Sequence, residues 1–192
     1  MKAVGFKTSL PITDAASFIE FDTEKPTPEG RQLLVKIKAV SVNPVDFKIR
    51  QNSAKDTVLE QPKIIGWDAA GVVEAVGDAV SLFSVGDEVY YAGDITKPGS
   101  NAEFQLIDER IVGRKPYGLS PEAAAAIPLT ALTAWEILFD RMRLSIERDR
   151  TKTLLIIGGA GGVGSIAIQL AKKLLGLTVI ATASRPETID WC

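Results

Sequence analysis

The chain contains no histidine and only one cysteine, Cys192, in 192 residues. Those two scarcities exclude a good deal. A lone cysteine cannot close an intrachain disulfide, and such usage fits a reducing, cytosolic setting. A four-cysteine structural zinc site and a His/Cys catalytic site both need ligands that are not there. An excess of charge of one sign is missing too. The 22 basic and 24 acidic residues leave a net −2, which offers nothing to nucleic acid or an anionic membrane. No apolar run approaches the roughly 18 residues of a transmembrane helix. The opening Met1–Lys7 is too short in its apolar part for a signal peptide. Repeats and low-complexity segments are absent. What remains, 46% hydrophobic and 24% charged, is the composition of a globular protein. The length suits one large domain, or one domain and part of another.

The most informative stretch is Thr153-Leu154-Leu155-Ile156-Ile157-Gly158-Gly159-Ala160-Gly161-Gly162-Val163-Gly164. Four apolar residues predict a buried parallel strand, and Gly159, Gly161 and Gly164 match the G-x-G-x-x-G dinucleotide fingerprint. One glycine serves the tight turn, one the close approach of a pyrophosphate, one the packing of helix on strand. Val163, Ile166, Ala167, Leu170 and Leu174 then recur at helical spacing up to Leu175. Lys172 and Lys173 suit the last turn and Gly176 the stop. Leu177 to Ala183 reads as a second buried strand. Strand, glycine loop, helix and strand together are the context the fingerprint requires, and the helix N-terminus (Gly162, Val163) offers N–H groups to a pyrophosphate.

The rest of the chain divides in two. Residues 1 to about 110 read as all-β, with strands at Leu33–Val42, Gly71–Gly77, Val85–Gly93 and Ala102–Ile107, as in a small barrel or sandwich. In the first of these Val35, Ile37 and Ala39 share one face, Lys36 and Lys38 the other. Pro26–Gly30 is a turn. Ser120-Pro121 then opens a helix, Ser120 as N-cap and Pro121 at the first helical position. A second helical run extends from Leu129 to about Leu144. The boundary falls near Ala126, giving domains 1–125 and 126–192.

That order resembles the medium-chain dehydrogenase/reductases, and within them the zinc-independent quinone oxidoreductase-like branch. The landmarks are Ser41-Val42-Asn43-Pro44-Val45-Asp46, Gly66-Trp67-Asp68-Ala69-Ala70-Gly71, Val85-Gly86-Asp87-Glu88-Val89, Gly99-Ser100-Asn101-Ala102-Glu103-Phe104, Leu129-Thr130-Ala131-Leu132-Thr133-Ala134 and the glycine loop. The resemblance implies an α/β plus β fold: a GroES-like β-barrel catalytic domain followed by the first βαβ of a Rossmann domain. It also implies an active site between the two. Members run to well over 300 residues, so the chain is expected to be a truncated, N-terminal portion of a longer enzyme that is inactive alone. Members are often homodimers.

Zinc members of the family use a cysteine, a Gly-His-Glu histidine and a further cysteine. Here Asn43, Trp67 and Leu129 stand at or near those positions, so no metal site is expected. Asp46 and Asp68 are candidates for structural hydrogen bonding. Hydride must then reach an acceptor that is already electrophilic, a quinone or an α,β-unsaturated carbonyl. The resemblance places Asn43 and Thr133 near the nicotinamide and ribose. On the residues alone Asn43 can equally cap a turn, and Thr133 can bond back to a helix carbonyl. Tyr90 and Tyr91 read as strand aromatics. NAD binders place an acid at the end of the second strand; this one ends Ala181-Thr182-Ala183-Ser184-Arg185. Ser184 and Arg185 suit the 2′-phosphate of NADP, although Ser184 with Glu187 also fits a capping box. The competing readings are a zinc-type alcohol dehydrogenase and a non-catalytic nucleotide-sensing or interaction protein on the same fold.

Overall fold

The computed structural model describes residues 1–192. They form two compact units, Met1–Pro128 and Leu129–Cys192. In the first, β1 (Lys2–Phe6) pairs antiparallel with β2 (Ile19–Asp22) on one side and with β4 (Lys63–Ile64) on the other. A larger antiparallel sheet is made by β3 (Gln32–Ser41), β5 (Asp68–Val76), β6 (Glu88–Ala92), β7 (Phe104–Asp108) and β8 (Gly113–Arg114), in the order β7-β3-β5-β6-β8. From Val35 onward the expected alternation holds, with Lys36 and Lys38 exposed. Ahead of it Leu33 and Leu34 are both buried, and the register with β5 shifts between Leu34 and Val35. The extra residue is Glu74 of β5, so the alternation along β3 is kept: Leu33 and Val35 share the core, with Leu34 buried between them. Leu33, Val35, Ala69, Val73, Val89, Tyr91 and Ile107 make the core of this sheet.

The stretch is not all-β. Pro44–Asn52 is a helix, α1, with Asn43 as its N-cap and Pro44 in its first turn. Asn-Pro reads as a turn in sequence, but proline's fixed φ also suits the first helical position. The helix buries Asp46 and Arg50, two charged residues. Its apolar contacts are those of Val45 and Ile49, one i,i+4 pair packed on Phe6 and Trp67, too short a stripe for periodicity to find.

The Ser120 start is as expected: its hydroxyl accepts from the Ala123 N–H at 3.2 Å at the head of α2 (Pro121–Ala125). Ala124 and Ala125 are fully buried against Ala70 and Tyr90. After α3 (Pro128–Trp135) the chain widens into a π-helical turn, Glu136–Arg141. Met142 N–H donates to the Ile137 carbonyl five residues back at 2.9 Å, and Arg141 reaches Glu136 across the same spacing at 2.6 Å. Taken together, Pro121–Arg141 has the length and composition to cross a membrane, with mean hydropathy 1.3. This corrects the reading from single apolar runs, since helical continuity joins runs that are individually short. A spanning role is not implied: Ala134 and Leu138 are core residues, packed with Ala167 and Leu154.

The second unit continues with α4 (Ile146–Asp149), β9 (Thr153–Ile156), α5 (Gly162–Lys173), β10 (Thr178–Ala181) and α6 (Pro186–Trp191). β9 and β10 pair parallel, Leu154 opposite Val179. Helix α5 covers one face: Val163, Ile166, Ala167 and Leu170 meet Leu154 and Ile156, while Ala171 meets Leu177 and Val179. Both strands were expected to be buried, and that is only half right. Leu155 is 57%, Ile157 82% and Ile180 55% exposed, because nothing packs on the face opposite α5. The strands are also shorter than the apolar runs. The helix ends at Lys173 rather than Leu175, and Gly176 follows at φ +66.

Candidate functional site

The glycine loop joins β9 to α5 in a sharp turn, but the glycine that makes the turn is not the one the motif points to. Gly158, one residue ahead of the G-x-G-x-x-G match, has φ +73, a conformation that side chains rarely adopt. Gly159 is needed for closeness instead: a Cβ there would lie 2.7 Å from Ala181 Cβ. Gly161 is the N-cap of α5, and its N–H donates to the Gly158 carbonyl at 3.0 Å. Gly162 opens the helix over Thr130, whose Cγ2 would be 2.9 Å from an added Cβ. Val163 points its side chain into the core. Gly164 backs onto the loop, where a Cβ would meet the Gly158 and Gly159 carbonyl oxygens at 2.5 and 2.7 Å. The N–H groups of the first helical turn lack intrahelical carbonyl partners, which suits them to an anion.

The second strand grips this loop. Thr182 Oγ1 accepts from the Gly158 N–H at 3.0 Å, and the Thr182 carbonyl accepts from the Gly159 N–H at 2.9 Å. Between them lies an open cleft of about 450 Å³ whose lining includes Gly158, Ala160, Gly161, Thr182, Ser184 and Arg185. Arg185 is the only charged residue lining it. Arg185, not Ser184, is the N-cap of α6. Thr188 Oγ1 accepts the Arg185 N–H at 3.1 Å and donates to its carbonyl at 2.8 Å. The Ser184–Glu187 capping box therefore does not form. The helix starts one residue later, and Thr188, not Glu187, occupies the third position. Ser184 and Arg185 are both exposed.

Asn43 is buried in the first unit and held twice. Its backbone N–H donates to Asp46 Oδ2 at 2.7 Å, and its Nδ2 donates to Asp68 Oδ2 at 2.8 Å. Asp68 is fully buried and Asp46 nearly so. Burial pushes the Asp46 carboxyl up from its ordinary value, against the backbone N–H groups that hold it down. Thr133 donates its hydroxyl to the Leu129 carbonyl at 2.7 Å, the back-bonded helix role that was one of its two readings. Trp67 is a core residue whose Nε1 donates to the Asp94 carbonyl at 3.1 Å. Tyr91 is buried, donates to Gln105 Oε1 at 2.9 Å, and has its phenol pushed well above the usual value by burial. Tyr90 packs on the alanines of α2. No group of three or more His, Cys, Asp or Glu side chains is placed to hold a metal ion. Sequence reasoning missed Gly158, Thr182 and the Asn43–Asp68 pair. The doublet Gly158-Gly159 and the hydroxyl ending the second strand were the signals for the first two; nothing local marks the third.

Residues 29–125 match the alcohol dehydrogenase GroES-like domain. The whole chain is 50% identical to a zinc-type alcohol dehydrogenase-like protein of Staphylococcus epidermidis, over 193 residues and 56% of that protein. It is 41% identical to the 2-methylene-furan-3-one reductase of Solanum lycopersicum, over 90% of this chain and 45% of that one. A quinone oxidoreductase of Pseudomonas syringae superposes with TM-score 0.80 at 32% identity, over 99% of this chain and 55% of that one. The chain thus spans about half the length of these relatives. The GroES-like domain match and the relatives' names agree on an oxidoreductase family, and the chain belongs to the medium-chain dehydrogenase/reductase superfamily with its alcohol dehydrogenase GroES-like domain.

Proposed function

We propose that the full-length protein carrying this chain is a zinc-independent, NADPH-dependent oxidoreductase that reduces quinones or α,β-unsaturated carbonyls. The observation that carries the cofactor assignment is the charge of the cleft beside the glycine loop: one arginine and no carboxylate among its lining residues. An acid there would select the free ribose hydroxyls of NAD, and an arginine selects a phosphate. The loop also fits the group sterically. Its glycines keep the backbone bare where a pyrophosphate must approach, and α5 turns its free N–H groups to that side.

In this reading Gly162, Val163 and Gly164 offer their backbone N–H groups to the pyrophosphate, Gly159 and Gly161, whose N–H groups are used within the loop, leave the backbone bare for its approach, and Ser184 and Arg185 hold the 2′-phosphate. This βαβ unit is then the opening of a Rossmann domain, and domains 1–125 and 126–192 are the catalytic and cofactor-binding parts. Asn43 and Thr133 are assigned to the nicotinamide-ribose side by their match to the family landmarks. Because Thr133 gives its proton to Leu129, it faces a ligand only as an acceptor. When bound, the reduced nicotinamide supplies the hydride. The chain's own task is to orient the ring, keep water out and leave the charge that develops on the acceptor to conjugation and to hydrogen-bond donors. Zinc polarisation of a carbonyl has no ligand set in this chain: the Trp67 indole is packed in the core and the Asn43 amide is bonded to Asp68. The tomato relative's name, a methylene-furanone reductase, favours a conjugated acceptor. A cytosolic homodimer belongs to the same reading.

The experiment is fluorescence titration of the full-length protein with NADPH and NADH, followed by oxidation of NADPH with a panel of quinones and enals. Tighter binding of NADPH is expected, and Arg185→Ala should weaken it by about 1.5–3 kcal/mol, the worth of a charge-assisted hydrogen bond, while NADH changes little. Equal affinity for the two cofactors overturns the NADPH assignment. Binding without turnover on any acceptor favours the nucleotide-sensing alternative. About one zinc per chain after dialysis against a weak chelator overturns the zinc-independent reading.

A further inference from the structure

We propose that the cleft between the end of α1 and the loop joining β1 to β2 binds an oxyanion, a phosphate or carboxylate group of a small molecule, through Arg50 and Lys55. The cleft is open, about 440 Å³ in volume, and these two cations line it with no acid among its residues. It lies wholly within the first unit, so its occupancy is independent of the cofactor reading. Arg50 is only 5% exposed. A guanidinium so buried is ordinarily paired with an acid, yet Arg50 enters no ion pair. Asp46, one turn ahead on α1, takes the Asn43 N–H at 2.7 Å instead. Arg50 Nη1 donates to the Leu10 carbonyl at 2.8 Å, and the Phe18 ring centre lies 5.4 Å from its Cζ, a partial substitute for a counter-ion. Its Nε and Nη2 bond to nothing in the chain. Ser100 Oγ is the one fully buried side-chain polar atom without a partner, so these two nitrogens reach solvent, and the space that Arg50 lines is the cleft.

Pinning the loop to the helix does not account for the charge. Ser9 already does that: its Oγ donates to the Arg50 carbonyl at 2.6 Å and accepts from the Ala54 N–H at 3.0 Å. The Ser9 N–H also donates to the Ala54 carbonyl at 2.9 Å. A neutral donor would serve the Leu10 carbonyl at far less desolvation cost. What a guanidinium adds is a planar set of donors that fits two oxygens of one phosphate or carboxylate at once. Lys55 is exposed, also enters no ion pair, and adds a second positive charge to the lining. Leu10, Pro11 and Ile12 form an apolar wall beside the two cations, with Ile12 65% exposed. A ligand with an anionic end and a small apolar body matches both parts.

The test is titration of the full-length protein with inorganic phosphate and, separately, with acetate at constant ionic strength, read by the backbone amide shifts of Leu10 and Lys55. Saturable shifts at both residues are expected. Saturation with phosphate alone identifies a phosphate ligand, and saturation with acetate alone a carboxylate. Arg50→Gln keeps a donor for Leu10 without the charge and should weaken binding at least about tenfold, the scale of a charge-assisted hydrogen bond. Lys55→Gln should weaken it about two- to fivefold, as loss of an exposed ion pair does. Shifts that never saturate, shifts confined to the glycine loop, or an unchanged affinity in either variant overturn the proposal. If Arg50→Gln does not fold, the wild-type titrations and Lys55→Gln decide by the same criteria.

Discussion

At the scale of single residues, the loop shows how little of a motif's mechanics its letters convey. The left-handed turn falls on Gly158, the close contact with β10 on Gly159, and the tight backing of helix on loop on Gly164. A methyl at position 164 would stand 2.5 Å from a backbone carbonyl oxygen, which cannot swing aside as a side-chain end can. Gly164→Ala is therefore expected to destabilise the second unit by about 1–3 kcal/mol, the usual scale of overpacking. Gly161→Ala is the control: its φ is −71 and its nearest neighbour is 3.3 Å away. Thermal denaturation of the two variants checks this, and an equal loss in both would contradict the packing assigned to Gly164.

At the scale of elements, the charged stretch before β9 folds around one acid. Asp149 at the end of α4 is buried, and Arg148, Lys152 and the Ser145 N–H converge on its carboxylate, with Lys152 Nζ at 2.7 Å. The Arg148 and Lys152 hydrogen bonds, with that of the Ser145 N–H, hold its titration well below the usual carboxylate range. A depressed carboxylate stabilises the fold above its unfolded value, about 3.9, and that contribution is lost as pH falls toward the folded value. Urea unfolding of wild type and Asp149→Asn should thus differ most near neutral pH, with the variant weaker. The two should converge as pH drops below about 4. A gap that stays constant with pH would remove Asp149 from the acid response. Because Arg148 and Lys152 are exposed, the gap should also narrow in high salt.

At the scale of the molecule, the two-stranded parallel sheet is covered by α5 on one side only. Parallel sheets are ordinarily covered on both faces, and here Leu155, Ile157 and Ile180 stand more than half exposed on the other. Such a face beside unpaired strand edges promotes association. The 192-residue chain is expected to self-associate with rising concentration in sedimentation, and Ile157→Lys with Ile180→Lys to reduce that association. A monodisperse wild-type monomer across the same range would show that the face is tolerated in water.

What the amino-acid sequence determines by itself is whatever short-range chemistry enforces. Ser120-Pro121 before an alanine run favours a helix start, and a glycine run between an apolar run and a 3.6-residue pattern favours a strand-to-helix turn. The lack of histidine removes a His/Cys zinc ligand set from these 192 residues without any fold at all. Other features belonged to the tertiary structure alone. Helix α1 has only the Val45–Ile49 pair to announce it, and the exposed half of β9 and β10 looks in sequence like the buried half. The partner of Asn43 lies 25 residues away on another element. These depend on which distant residues come together, and a contact between them stabilises the chain only after the loop joining them has closed. No local pattern can encode that, whereas one fold brings the residues together.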